Sequence, residues 1–168
     1  MLLETIKKHS ELSKFIHSKC EDEGICIDFD NRISQKDVLV IKVDDFYNNL
    51  KLSKVPASPD CLIVQKCRFG FAIYIVELKG IKSSKGFVVE NMLEKFSTCI
   101  DDFICKRFKD VLEIDYKRIK LYFVSKIEIY KRDAGLKLRI LQNKQFKYRN
   151  KKFFIEAKMP VPAIKPCY

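Results

Sequence analysis

The segment Phe71–Lys79 constrains the fold more than any other part of the chain. It reads FAIYIVELK, and seven of its nine residues are apolar or aromatic. A run that is apolar on both faces is typical of a central strand covered on both sides. Strand alternation places Glu77 and Lys79 on one face, where two charges are costly unless they are paired or bound to a cation. The pattern therefore indicates a functional strand end. The alternative is an exposed strand end where both side chains reach water.

Hydrophobic periodicity predicts the elements around this strand. Residues 67–70 predict a tight turn, which makes residues 60–79 a hairpin. The predicted helices cover residues 2–20 and 87–108, and the other predicted strands cover residues 38–43, 60–66, 119–129, 136–141 and 152–157. We expect an α/β (α+β) fold with a mixed central sheet flanked by helices. The 168 residues suit a single domain, with a core over about 1–130 and a basic β-region over about 131–168.

The strand before the hairpin turn begins at Pro59-Asp60. Antiparallel pairing of this strand with Phe71–Lys79 would bring Asp60 within reach of Glu77 and Lys79. Two carboxylates that converge at a strand end form an oxygen site suited to Mg²⁺ or Mn²⁺. A nearby lysine can orient a water molecule and stabilise developing negative charge. The alternative for Asp60 is a turn residue, because Pro-Asp is a common turn pair.

The residues Pro59-Asp60 and Glu77-Leu78-Lys79 resemble the motif of the PD-(D/E)XK superfamily of restriction-endonuclease-like enzymes. The resemblance implies an αβββαβ core, which is the order predicted above for residues 2 to about 129. It also implies Mg²⁺-dependent hydrolysis of phosphodiester bonds, in DNA more often than in RNA. By the same resemblance Asp60 and Glu77 bind the metal, the backbone carbonyl of Leu78 joins them, and Lys79 is the catalytic lysine.

A third acidic ligand is left unassigned. Many members of that superfamily add a glutamate from the first helix. Glu4 and Glu11 lie opposite the apolar stripe of the predicted first helix, so neither matches. Glu21 and Glu23, at the end of that helix, are the alternatives.

The net charge of +11 is concentrated near the end of the sequence. Residues 116–158 hold 14 Lys and Arg against 3 Asp and Glu, whereas the first 115 residues sum to −1. A basic face attracts polyanions and releases their counterions on binding. The alternative is a solvated lysine surface that serves solubility.

Two groups of cations are candidates for contacts with nucleic acid. Lys82 and Lys85 flank the start of the predicted second helix, where phosphate contact or a solvated loop are both open. In the basic region, aromatic side chains alternate with Lys144, Lys147, Arg149, Lys151 and Lys152. Aromatics among cations can stack on bases. For the aromatics themselves, a strand with one buried aromatic face and one lysine-rich face is the favoured interpretation.

Seven cysteines without a secretory pattern predict buried, reduced thiols in a cytoplasmic protein. Pairs six residues apart (Cys20/Cys26, Cys61/Cys67 and Cys99/Cys105) do not have zinc-ligand spacing. The apolar runs are too short to span a membrane, so no membrane partner is expected.

These observations favour a Mg²⁺- or Mn²⁺-dependent endonuclease of the restriction or repair type. A homodimer is expected if it cuts both strands, since two strands need two active sites. The alternative is an inactive nuclease-like module that binds nucleic acid or an acidic protein partner.

Overall fold

The computed structural model describes residues 1–80, 86–126 and 132–168. Its helices are α1 (Leu2–Lys8), α2 (Val43–Asn49), α3 (Val89–Ser97), α4 (Lys109–Leu112) and α5 (Arg132–Asn143). Its strands are β1 (Ile16–His17), β2 (Glu21–Asp22), β3 (Ile25–Cys26), β4 (Asp28–Phe29), β5 (Val38–Lys42), β6 (Cys61–Lys66), β7 (Phe71–Lys79), β8 (Arg118–Ser125), β9 (Gln145–Tyr148), β10 (Lys151–Lys158) and β11 (Ala163–Ile164).

A mixed sheet of seven strands forms the centre, in the order β1-β5-β6-β7-β8-β10-β9. Strand β6 is antiparallel to β5 and β7, whereas β8 is parallel to β7 and to β10. The predicted central strand and hairpin are confirmed, because β7 has a neighbour on each side and the Cys67 N–H closes the turn onto the Gly70 carbonyl at 2.9 Å. The mixed α/β fold class is also confirmed.

One face of the sheet packs against the helices. Leu62 of β6 and Ile73 and Ile75 of β7 join a buried cluster with apolar residues of α1, α2 and α3. We call this cluster the helix-side core. The predicted second helix is confirmed as α3, which continues as a π-helix over Thr98–Arg107.

The other face of the sheet is covered in part by short strands. Ile25 of β3 and Ile164 of β11 pack against Ile63 and Tyr74 in a second buried cluster. Strands β2 and β3 pair with each other, and β11 pairs with β4. Because the alternate side chains of β7 enter two separate cores, the strand has to be apolar on both faces.

The first helix is shorter than predicted. It ends at Lys8, and His9 Nδ1 then accepts hydrogen bonds from the N–H groups of Glu11 and Leu12. A short 3-10 turn over Leu12–Phe15 follows, and Ile16–His17 pairs with β5. The apolar residues at helical spacing are thus shared between a helix, a turn and an edge strand.

The predicted strand over residues 136–141 is wrong, because this segment lies within α5. The letters LKLRIL alternate like a strand, but the buried residues are Ala134, Leu138 and Leu141, which are spaced as on one helix face. The strand predicted over 152–157 is confirmed as β10, and β9 was not predicted. The strand predicted over 119–129 is confirmed as β8 as far as Ser125, and residues 127–131 lie outside the described ranges.

The prediction of seven reduced thiols is wrong for four cysteines. Disulfides join Cys20 to Cys61 and Cys67 to Cys167, across 41 and 100 residues of sequence. The free thiols are those of Cys26, Cys99 and Cys105. Spacing along the sequence could not reveal these pairs, since the fold brings distant thiols together. Disulfides are typical of oxidising compartments, so a cytoplasmic location stays a prediction without support from the cysteines.

The basic C-terminal region adds β10 and β9 to the same sheet that contains β7. None of the helices in the described ranges combines the length and the apolar character that a membrane span requires.

Candidate active site

Strand β7 carries Glu77 and Lys79 to one end of the sheet. Both lie on the face that also presents Ile73 and Ile75 to the helix-side core. Glu77 is 1% exposed, whereas Lys79 at the strand end is half-buried. The strand thus places one carboxylate inside the protein and one ammonium group near its surface, on the same side of the sheet.

Asp60 lies directly before β6, beside the end of β7. The register pairs Cys61 with Val76, so the next position brings Asp60 alongside Glu77. Asp60 Oδ2 accepts a hydrogen bond from the Leu78 N–H at 2.6 Å, and the Asp60 carbonyl accepts one from Val43 at 3.0 Å. Asp60 is 7% exposed. The structure therefore brings the three residues of the predicted motif to one edge of the sheet.

A lysine from α3 completes the surroundings of Glu77. Lys95 Nζ contacts Glu77 Oε1 at 2.5 Å. Glu77 Oε2 is buried and has no hydrogen-bond partner within the described part of the chain. Oε1 thus has the protein's own cation as its partner, and Oε2 is left without a donor among the residues that the structure describes.

Another acidic residue, Asp44, and another lysine, Lys42, lie near Asp60. Lys42, at the end of β5, contacts Asp44 with 3.5 Å between Nζ and Oδ2. Asp44 raises the pKa of Asp60, whereas Lys42 and Lys95 lower it. The centre is therefore a cluster of carboxylates and lysines rather than an isolated motif.

Burial governs the protonation of both motif carboxylates. Loss of solvent raises the pKa of Asp60 to about 6, against the opposing effect of the Leu78 hydrogen bond. Burial, and next the nearby Asp60 carboxylate, raise the pKa of Glu77 to about 8, against the opposing effect of Lys95. The cations present do not offset the burial of two carboxylates, so an added divalent cation would favour their ionised forms.

The donor atoms fit a hard cation in part. The unpartnered Glu77 Oε2 and the adjacent Asp60 carboxylate are the oxygen ligands that Mg²⁺ and Mn²⁺ prefer. Among the described residues, however, no group of three or more His, Cys, Asp or Glu is placed to hold a metal ion. Asp60, Glu77 and the Leu78 carbonyl would therefore hold an ion with waters or substrate oxygens in its other positions.

Glu23, one of the two alternatives for a third acid, lies at the end of β7. Its Oε2 accepts a hydrogen bond from the Gly80 N–H at 2.8 Å. A Cβ on Gly80 would lie 2.5 Å from this oxygen and 2.9 Å from Glu23 Cβ, so only glycine allows this approach. Glu23 thus fixes the backbone that follows Lys79. Glu4 is engaged elsewhere, with Lys7 at 2.9 Å.

The predicted nucleic-acid contacts separate into three groups. Lys82 and Lys85 lie outside the described residues. Arg149 donates to the Glu113 carbonyl at 2.9 Å and Lys151 contacts Asp115 at 2.8 Å, so both are bound to the segment before β8. Lys144, Lys147 and Lys152 are exposed, as is Arg149 despite its hydrogen bond.

The aromatic residues of this region follow the favoured interpretation with one exception. Phe146 and Tyr148 are buried in the helix-side core, and Phe153 packs against it. Phe154 is 49% exposed and points to the opposite face, together with Lys152.

Sequence reasoning missed Lys95, Lys42 and Asp44. Lys95 follows the buried Met92 by three positions, so a helical wheel places it at the margin of the core-facing side. The sequence does not show which turn of α3 crosses the end of β7, so no pairing with Glu77 could be read from it.

Comparison of the chain with protein-family models, with curated proteins and with solved structures finds no match.

Proposed function

We propose that this chain is a divalent-metal-dependent endonuclease of the PD-(D/E)XK type that hydrolyses phosphodiester bonds, in DNA rather than RNA. The observation that carries the proposal is Glu77, a buried carboxylate with one unpartnered oxygen beside Asp60. A buried charge of this kind is costly unless a cation offsets it. The order α1, β5, β6, β7, α3, β8 supports the proposal, because it matches the αβββαβ order that the resemblance implies once the short strands β1–β4 and the inserted helices α2 and α4 are set aside.

Each side chain has a separate task in this proposal. Asp60 and Glu77, with the Leu78 carbonyl, would hold Mg²⁺ or Mn²⁺; such an ion neutralises phosphate charge and lowers the pKa of a coordinated water. Lys79 lies on the same face at the accessible strand end, where its ammonium can orient the attacking water and stabilise charge on the phosphate. Lys95 keeps the Glu77 carboxylate in position. A homodimer belongs to the proposal only for double-strand cleavage.

The direct test measures cleavage of a mixed DNA and RNA panel in Mg²⁺ and in Mn²⁺. Asp60→Asn keeps an acceptor for the Leu78 N–H and removes the charge, and Glu77→Gln has nearly the same shape as the native residue. We expect each of these variants, and Lys79→Met, to lose about two orders of magnitude or more in rate. Glu90→Gln, an exposed acid on α3, is the matched control and should cleave like the wild type. Full activity in Asp60→Asn and Glu77→Gln would exclude this site.

A second measurement tests for the metal without knowledge of the substrate. Titration calorimetry with Mn²⁺ should show binding by the wild type, and Asp60→Asn should weaken it about tenfold or more. Equal binding by both proteins would place the ion elsewhere.

The inactive-module alternative is favoured by one observation, the 2.5 Å contact between Lys95 and Glu77. An internal ammonium group can take the place of a metal ion beside a carboxylate. This alternative predicts salt-sensitive binding of nucleic acid, or of an acidic protein, with neither cleavage nor Mn²⁺ affinity.

A further inference from the structure

The face of the sheet opposite the helix-side core is accessible at the start of β8 and along β10 and β9. On β8 the side chains of Ile119 and Leu121 enter the helix-side core, so Arg118 and Lys120 point the other way. By the same alternation Lys152, Phe154 and Lys158 of β10 and Lys147 of β9 share that face. We call this set of six residues the open sheet face: Arg118, Lys120, Lys147, Lys152, Phe154 and Lys158.

The register places these residues side by side. Lys152 pairs with Lys147 across β10 and β9. Glu156 pairs with Tyr122 across β10 and β8, so Phe154 lies alongside Lys120 two positions earlier. Neighbouring strands are about 4.8 Å apart, so the exposed Phe154 ring has Lys120 and Lys152 among its nearest neighbours on this face, together with Gln145 and Glu156.

The charge of this face is strongly positive. Its five cations are opposed by one carboxylate on the same strands, Glu156, whose Oε1 contacts Lys120 Nζ at 3.1 Å. Lys158 Nζ lies 5.1 Å from the centroid of the Tyr122 ring, so its position is fixed over an aromatic surface. Arg118 and the lysines at 147 and 152 are exposed.

We propose that the open sheet face binds single-stranded nucleic acid, with Phe154 stacking on a base and the surrounding cations contacting phosphates. The Phe154 ring is 49% exposed, so its surface is available for stacking. Only an unpaired base can stack on it, because the bases of a duplex are already stacked on each other. Phosphates attract the cations regardless of sequence.

The open sheet face ends close to the backbone of the candidate active site, although the site's side chains lie on the other face of the sheet. Lys158 pairs with Val124, and Val124 pairs with Leu78, so two strand spacings of about 10 Å in all separate Lys158 from the site backbone. Asp60 and Glu77 point to the opposite face of the sheet, so a strand bound along β10 would have to pass round the end of the sheet to reach them. The binding of single-stranded nucleic acid does not depend on the proposed nuclease function. That the bound nucleic acid is also the substrate does depend on it.

The test measures binding of a labelled single-stranded oligothymidylate by fluorescence anisotropy in EDTA, so that no cleavage can occur. Phe154→Ala should weaken binding on the order of tenfold. Lys152→Gln should lower the slope of log K against log salt by about 0.7, the value for one phosphate contact on a single strand. Matched controls are Ile140→Ala, which removes an equally exposed apolar side chain on α5, and Lys8→Gln on α1; both should bind like the wild type.

Three results would overturn the proposal: no binding at low salt, tighter binding of the matched duplex, or unchanged affinity of the Phe154 and Lys152 variants. Anionic vesicles and a polyglutamate peptide are the competing ligands, and preference for either would also exclude it. Binding without Mg²⁺-dependent cleavage would contradict the proposed function alone. If Phe154→Ala cleaves with an unchanged KM, only the proposal that the open sheet face binds nucleic acid would be contradicted.

Discussion

Glu77 is the most deeply buried carboxylate among the described residues. A carboxylate that is 1% exposed has lost its hydration, and the contact with Lys95 offsets part of the resulting free-energy cost. Removing one partner of such a buried pair is costlier than replacing both. The protonation of Glu77 should therefore be visible in the stability of the whole protein.

We predict that Glu77→Gln reduces the pH dependence of folding. In metal-free buffer the folded protein keeps the Glu77 proton up to about pH 8, whereas the unfolded chain loses it near 4.5. Between these values the folded state binds more protons, so the free energy of unfolding falls as pH rises, on the order of 5 kcal/mol over the window. Asp60 contributes with the same sign from 3.8 up to about 6.

Chemical denaturation in EDTA at several pH values between about 4 and 9 measures this effect. Glu77→Gln should lose less than half as much stability as the wild type across that range. Glu90→Gln, which changes an exposed acid, should follow the wild type. A wild-type protein whose stability is constant from pH 5 to 8 would contradict the prediction.

Part of the site could be predicted from the sequence because it depends on short-range geometry. Strand alternation places Glu77 and Lys79 on one face, and a hairpin brings Asp60 to them. Lys95 and Lys42 come from other elements, and their approach depends on how α3 and β5 pack. That packing is tertiary information, which no local pattern of residues contains.

Among the helices and strands, the predictions were right where the hydrophobic pattern was long and regular. Strands β6 and β7 and the helix α3 have long, regular apolar patterns, and all three were predicted. Residues 136–141 of α5 were predicted as a strand because their apolar and charged residues alternate. Alternation over only six residues also fits part of the apolar stripe of a helix. Short strands such as β2 and β4, with two residues each, carry no periodic signal.

Alanine substitutions in α5 distinguish the helix from the strand that the letters suggest. Leu138 is 1% exposed and Ile140 is 58% exposed. We predict that Leu138→Ala lowers the free energy of unfolding by about 2–5 kcal/mol, and that Ile140→Ala changes it by about 0.5 kcal/mol or less. In a strand the two side chains would share one face and cost similar amounts. If urea denaturation shows that Leu138→Ala and Ile140→Ala lose equal free energies of unfolding, the assignment of this segment to a helix would be contradicted.

At the scale of the whole molecule, the two faces of the sheet are covered in different ways. Helices and a large apolar cluster cover one face. Short strands cover part of the other face, and both disulfides lie in its smaller cluster. Short strands bury little area, so covalent links contribute more to holding this second layer.

We predict that the double variant Cys67→Ser/Cys167→Ser is destabilised by about 2–5 kcal/mol, because this disulfide closes a loop of 100 residues. Thermal denaturation with and without dithiothreitol measures the effect, and the reduced wild type should lose at least as much as the variant. Cys26→Ser, which changes a free thiol, is the control. An unfolding midpoint that does not move on reduction would contradict the role assigned to this disulfide.

The approach of Glu23 to Gly80 has an evolutionary consequence. These two residues are 57 positions apart, yet the space between them admits no side chain on Gly80. In a related sequence with a larger residue at position 80, the side chain at position 23 has to move away or be smaller, so glutamate at 23 and glycine at 80 should occur together. Covariation of positions 23 and 80 among related sequences would therefore mark proteins that hold the chain after Lys79 in the same way.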